Sequence, residues 1–185
     1  MAATDEPVSW GSFSDRFLDE LAAWIGARRV LEVFAGNGLL ASRLAAEGTD
    51  VLATTLFAGH DGHDRGMHFD VVEMEATEAV LKFGADRDVL LMSWPTATEA
   101  ATKAVLRWGP ERPVIFIGEV TRHDLGFSGL GGCASDLFFE LTEEALAFGS
   151  YEPRNGLERA GVRYLSLEAV RKWTLQKKPD QDFRP

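Results

Sequence analysis

The chain has one cysteine, Cys133, among its 185 residues. A single thiol excludes an intrachain disulfide framework and a cysteine-rich zinc site. No apolar run approaches the roughly 20 residues that a membrane-spanning helix needs. The opening Met1-Ala2-Ala3-Thr4-Asp5-Glu6-Pro7 lacks the basic and apolar regions of a signal peptide, so the cytoplasm is the expected compartment. Basic residues are scarce as well: 19 Lys and Arg against 29 Asp and Glu leave a formal net charge of −10. An acidic surface repels phosphates, and non-specific nucleic-acid binding depends on lysine and arginine. Arg171, Lys172, Lys177 and Lys178 gather near the end, but Asp180 and Asp182 interrupt them, as in a solvated tail. A small molecule or a peptide is therefore the expected partner, rather than nucleic acid or a membrane. No repeat, low-complexity tract or Pro/Gly/Ser-rich linker divides the chain. One domain over 1–185 is expected, with 1–11 and 176–185 as flexible tails.

What is present is a globular composition, 45% apolar and 26% charged. Ser12 or Ser14 can cap a helix whose apolar positions Phe17, Leu18, Leu21, Ala22 and Ile25 fall at helical spacing. Arg29–Phe34 is a short apolar run with β-branched residues, the pattern of a strand buried on both faces. Leu39–Glu47 reads as a helix stopped by Gly48, Asp50–Leu56 as a second strand, and Phe57–Phe69 as a polar loop. Glu75–Phe83 is helical, Asp88–Ser93 a strand, Thr96–Trp108 a helix after Pro95, and Pro113–Gly118 the next strand. Gly126–Gly132 reads as loop and Ser135–Ala147 as a helix; Gly149–Pro153 and Val162–Leu175 remain for a final antiparallel pair. Strands alternating with helices predict an α/β fold, a three-layer Rossmann-like sandwich around a mostly parallel sheet. In such sheets ligands sit beyond the carboxyl ends of the strands, where strand order reverses.

The sharpest local feature is Val30-Leu31-Glu32-Val33-Phe34-Ala35-Gly36-Asn37-Gly38-Leu39-Leu40. It ends a buried strand and opens a helix. Gly36 and Gly38 can take backbone angles closed to other residues. Amides at the start of the Leu39 helix favour a carboxylate or phosphate. The bland alternative is a tight strand-to-helix turn with glycines kept for geometry alone.

Glu32-Val33-Phe34-Ala35-Gly36-Asn37-Gly38 resembles motif I of class I S-adenosylmethionine-dependent methyltransferases, in the variant where Phe-Ala-Gly replaces Gly-x-Gly. The dinucleotide fingerprint does not fit, because no third glycine occurs in Leu39–Arg43. The resemblance, which covers roughly Leu18–Gly118, implies the class I methyltransferase form of the fold and S-adenosylmethionine as cofactor. It implies that Glu32 lies near the methionine amino group and that Phe34, Ala35, Gly36, Asn37 and Gly38 cradle the methionine part. At the second strand the family usually carries an acidic residue for the ribose hydroxyls; here Thr55 stands in that place, after Thr54. Val72-Glu73-Met74-Glu75-Ala76-Thr77 resembles the third motif, which implies Glu75 on the adenine amino group with Met74 or Ala76 beside the ring. The alternative for Glu75 is an N-terminal helix carboxylate favoured by the helix dipole.

Leu90-Leu91-Met92-Ser93-Trp94-Pro95-Thr96 follows the fourth strand. Amino-methylating members carry Asn/Asp/Ser-Pro-Pro-aromatic there; Ser93 and Pro95 match, while Trp94 and Thr96 do not. Trp94 is then either a π-face for a cationic acceptor or a buried strand-end tryptophan. Glu119 places a carboxylate on the same rim. Leu91–Pro95, Ile117–Glu119 and Gly131–Phe139 together resemble an uncharacterised methyltransferase-like subgroup. Gly126–Gly132 reads as an anion cradle or a lid. Cys133 reads as a nucleophile at a helix start or as a small buried side chain.

His60, Asp61, His63, Asp64, His68 and Asp70 fall in one loop, which reads as solvated and lying over the adenosine end; no metal is expected. The expected activity is methyl transfer to a small-molecule or side-chain acceptor, with a lean to an amine. Ser93, Trp94 and Glu119 are expected on the acceptor side, under cover of the helix Phe13–Ile25 and the loop Arg122–Cys133. The alternative is a binding or scaffold protein that keeps the fold without catalysis.

Overall fold

The structure is a computed structural model, and it describes residues 11–57, 63, 66–120 and 133–176. Seven strands form one sheet: β1 (Val30–Val33), β2 (Val51–Thr55), β3 (Val71–Glu73), β4 (Val89–Ser93), β5 (Val114–Glu119), β6 (Thr142–Ala147) and β7 (Glu158–Leu165). Their spatial order is β3-β2-β1-β4-β5-β7-β6. The first five are parallel, and β7 runs antiparallel between β5 and β6. Strand order reverses between β1 and β4, so the carboxyl ends of those two strands flank the switch point.

Helices cover both faces. α1 (Asp15–Ile25) and α2 (Leu39–Ala46) pack one face, where Phe17, Leu21, Ile25 and Leu44 meet Val30, Leu91, Ile115 and Ile117. α3 (Ala76–Phe83), α4 (Ala100–Trp108) and α5 (Asp136–Leu141) pack the other against Leu31, Val33, Leu90, Met92 and Phe116. α6 (Leu167–Gln176) follows the last strand, with Val170 and Trp173 packed on that second core. β1 is buried along its whole length, as its apolar run implies for a central parallel strand.

Several boundaries agree with the sequence reading. Ser14 caps α1 by accepting from the Phe17 amide at 3.3 Å. The layered sandwich around a mostly parallel sheet is the one that the strand–helix alternation predicts.

Four stretches differ from it. The helix expected over Ser135–Ala147 ends at Leu141, and Thr142–Ala147 is the edge strand β6. The reason lies at Thr142. Its hydroxyl bonds back to the Phe138 carbonyl at 2.8 Å, while Arg163 donates to both its hydroxyl and its carbonyl at 2.8 Å. Those bonds tie the chain to β7, and sheet pairing overrides the helical preference of the Glu-Glu-Ala-Leu-Ala run. The antiparallel pair is accordingly β6 with β7, not Gly149–Pro153 with Val162–Leu175, and most of the latter range is α6. The third is at α4, which begins at Ala100 rather than just after Pro95, where Thr98 Oγ1 accepts from the Ala100 amide at 3.3 Å. The short strand β3 has no counterpart in the sequence reading; its three residues are too few for a periodic signal.

Candidate functional site

Both strand ends at the switch point leave the sheet through strained residues. Phe34 after β1 has φ 62° and Trp94 after β4 has φ 52°. Bulky residues avoid this left-handed region, and where it occurs it clusters at functional sites. The Trp94 amide donates to the Ile117 carbonyl at 2.7 Å, which fixes the β4 exit against β5.

Beneath the first turn lies Glu32, only 1% exposed, with no hydrogen-bond partner for either carboxyl oxygen. Burial pushes its carboxyl up to about 8; the Ala41 backbone amide on α2 pulls the other way without reaching hydrogen-bond geometry. An unpartnered buried acid is costly, and Glu32 is the residue that the resemblance assigns to the methionine amino group.

The two glycines of the turn differ. A Cβ on Gly36 (φ 54°) would meet nothing within 4 Å. A Cβ on Gly38 (φ 77°) would lie 2.7 Å from Phe69 Cβ and 2.8 Å from Val71 Cγ2. Gly36 thus borders open space, while Gly38 makes room for the chain returning to β3. That returning chain touches the turn again: the His68 amide donates to the Asn37 carbonyl at 2.8 Å. His63 Nε2 stands 3.3 Å from the Gly36 carbonyl, and its ring meets Phe57 at 4.7 Å between centroids. Of the histidine-rich loop, His60, Asp61 and Asp64 lie outside the described residues.

Thr55 is buried at the end of β2, and its carbonyl accepts from the Met74 amide at 2.8 Å. Glu75 is the N-cap of α3. One carboxyl oxygen accepts from the Thr77 and Glu78 amides at 2.7 and 3.1 Å, the other from the Thr77 hydroxyl at 3.2 Å. Ala76, next to it, is buried in the helix-side core. Glu75, Thr77, Thr98, Glu99, Ala100 and Lys103 border an open depression between α3 and α4.

On the other side of the switch point, Ser93 pairs with Ile117 and is half-buried. Glu119 ends β5, and its Oε1 accepts from Asn155 Nδ2 at 2.8 Å. It pairs in register with Glu158 at the start of β7, so both reach the same rim. Glu158 is 2% exposed, and three donors serve its carboxylate: the Arg154 amide at 2.8 Å, Arg154 Nε at 3.0 Å and the Tyr151 hydroxyl at 3.2 Å. Burial first, then the Glu158 charge, holds the Tyr151 phenol above its usual range. The Arg154 guanidinium lies over the Trp94 ring, 4.7 Å from its centroid.

Arg154, Glu158 and Tyr151 do not stand out in the sequence. They sit in the stretch whose local pattern is weakest, and only the antiparallel return of β7 brings them to the rim. Trp94, expected as a face for a cationic acceptor or as a buried strand-end side chain, carries the protein's own cation, Arg154.

Cys133 is buried, and desolvation raises its thiol to about 11. Gly118 (φ 153°) packs against it so closely that a Cβ there would lie 2.9 Å from its Sγ. That is the environment of a packed thiol, not of an activated nucleophile. Of the two expected covers, α1 packs on the sheet and meets the segment that leads to the rim: Phe17 meets Tyr151 at 5.1 Å between ring centroids, and Glu20 accepts from the Gly149 and Ser150 amides at 3.2 and 2.9 Å. The loop Arg122–Cys133 lies outside the described residues except for Cys133.

The fold is similar to that of solved structures. A point mutant of MtNAS in complex with S-adenosylmethionine superposes with a TM-score of 0.54 at 13% identity, over 81% of this chain and 62% of that one. Streptococcus pneumoniae Sp1610, provisionally designated a tRNA (m1A22) methyltransferase, gives 0.54 at 12% identity over 89% and 85% of the two chains. The chain has the class I methyltransferase fold. A protein of the NADB-Rossmann superfamily from Streptococcus agalactiae gives 0.51 at 9% identity over 90% and 84%. The chain spans about three fifths of MtNAS. No protein-family model matches the sequence, and no curated protein matches it. No helix among the described residues is long and apolar enough to cross a membrane.

Proposed function

We propose that this chain is an S-adenosylmethionine-dependent methyltransferase acting on a small molecule or a side chain. The observation that carries the reading is Glu32: a buried carboxyl with no hydrogen-bond partner, under a strained turn at the switch point of this fold. A ligand ammonium group would supply the missing partner, and the open space beside Gly36 leaves room for the ligand to approach the backbone.

In this reading Glu32 and the Phe34–Gly38 turn hold the methionine part. Thr55 offers a single hydroxyl toward the ribose, and Met74 or Ala76 lies beside the adenine. The cofactor's methyl is already activated as part of a sulfonium, so the protein's work is to align the acceptor and exclude water. Ser93 and Trp94 border the acceptor at the end of β4. Glu119 supplies a carboxylate that can take the single proton an amine must lose, with Asn155 fixing its orientation.

A second reading is a ligand-binding protein without catalysis. The geometry of Glu75 favours it: both carboxyl oxygens serve the α3 cap instead of pointing outward for an adenine amino group. Thr55 adds to this, since it cannot replace a bidentate carboxylate. Calorimetry with S-adenosylmethionine and S-adenosylhomocysteine tests both. Binding of both ligands is expected, weakened at least tenfold in Gly36→Val. Absence of binding to either ligand removes both the enzyme reading and its cofactor. Binding without methyl transfer to any acceptor from a fractionated metabolite or peptide pool selects the non-catalytic reading.

A further inference from the structure

We propose that Arg154 and Trp94 form an oxyanion-recognition site on the acceptor side, so that the acceptor carries a carboxylate or phosphate. The acceptor role rests on the methyltransferase reading; the anion site stands on its own geometry.

Arg154 uses its backbone amide and Nε on the buried Glu158 carboxylate, at 2.8 and 3.0 Å. The two terminal nitrogens take no part in those bonds, and the side chain as a whole is 53% exposed. Glu158 and the Trp94 ring hold the guanidinium from two directions. A planar fork held in this way presents donors with little further loss of side-chain freedom, which suits planar oxyanions. Trp94 holds the guanidinium through its ring face; its own Nε1 is shielded from solvent and has no acceptor among the described residues.

A purely structural salt bridge would not require this arrangement. Glu158 is already served by Tyr151 and by the Arg154 amide, and a shorter residue would meet it without reaching Trp94. Glu119 is the acid of the same rim, and Asn155 holds one of its oxygens. An acceptor with an amine toward Glu119 and an oxyanion toward Arg154 would match both charges.

The test uses the full chain labelled with 15N, with the Trp94 indole resonance assigned by its loss in Trp94→Phe. It is titrated with sodium benzoate, with its neutral isostere benzamide, and with inorganic phosphate. A saturable shift with benzoate, phosphate or both, at least tenfold weaker with benzamide, is expected, and the stronger arm identifies the oxyanion. The affinity should fall at least tenfold in Arg154→Gln, which keeps a donor for Glu158, and in Arg154→Met. Equal response to benzoate and benzamide, no response to either anion, or undiminished affinity in a folded Arg154→Gln overturns the proposal. S-adenosylhomocysteine calorimetry on the same samples separates the two readings: wild type and Arg154→Gln should bind it alike. If wild type fails to bind it, the cofactor reading falls, while the anion site still stands or falls by its own titration.

Discussion

Two glutamates are buried at the carboxyl rim of the same sheet, on opposite sides of the switch point, and they are treated oppositely. Glu158 is 2% exposed and accepts three hydrogen bonds from Tyr151 and Arg154. Glu32 is 1% exposed and accepts none within hydrogen-bond geometry. One acid is a finished part of the fold, paired within the chain. The other has no hydrogen-bond partner among the described residues. Native proteins satisfy nearly all buried polar groups, so an exception points to strain, catalysis or a missing partner. The glycines of the Glu32 turn repeat the contrast at short range, since Gly38 is filled against Phe69 and Gly36 is open.

The contrast can be broken in order of effect. Gly38→Ala should cost most, roughly 3 kcal/mol, because positive-φ strain adds to a clash with Phe69 and Val71. Urea unfolding measures it, and a loss under about 1 kcal/mol would mean that the returning chain yields. Glu158→Ala should cost about 2 kcal/mol, below the usual range for a broken buried pair because Arg154 is half in water. The same variant should release Arg154 from Trp94, read as a change in tryptophan fluorescence.

Glu32→Gln should behave differently. The folded pKa of Glu32 is raised from 4.5 to about 8, so the native state holds a proton that the unfolded chain gives up. The contribution of Glu32 to stability is therefore full below pH 4.5 and is lost as pH rises toward 8. Relative to wild type, Glu32→Gln should gain stability across that window, by on the order of a few kcal/mol at about 1.4 kcal/mol per pKa unit. A pH-independent difference in urea midpoints would contradict the orphaned-acid account. Gly36→Ala should cost least, about 1 kcal/mol of backbone strain, while still weakening ligand binding.

Much of the first half of the site was legible in the sequence. Glu32, Gly36 and Gly38 lie within seven residues on one strand and one turn, where local pattern and local structure coincide. The sequence leaves Glu75 two roles, and the structure gives its carboxylate the capping one. The second half was legible only in part. Trp94 and Glu119 end apolar strands and could be placed, but Arg154 and Glu158 reach them through the antiparallel β7. The sequence around β6 prefers helix, so the pairing that delivers β7 comes from tertiary contacts at Thr142 and Arg163. Gly38 could be marked as a glycine that matters; that its reason is Phe69 depends on a contact 31 residues away.

The central claim is that Glu32 awaits a ligand ammonium. It is tested most directly by calorimetry of S-adenosylhomocysteine binding at about pH 7 in HEPES and in Tris, whose ionisation heats differ. With its pKa near 8, free Glu32 is mostly protonated at that pH. Pairing with the ligand ammonium should ionise it, so that binding releases close to one proton in wild type and none in Glu32→Gln, which should also bind at least tenfold more weakly. Identical heats in the two buffers, with equal affinity in Glu32→Gln, would contradict the account.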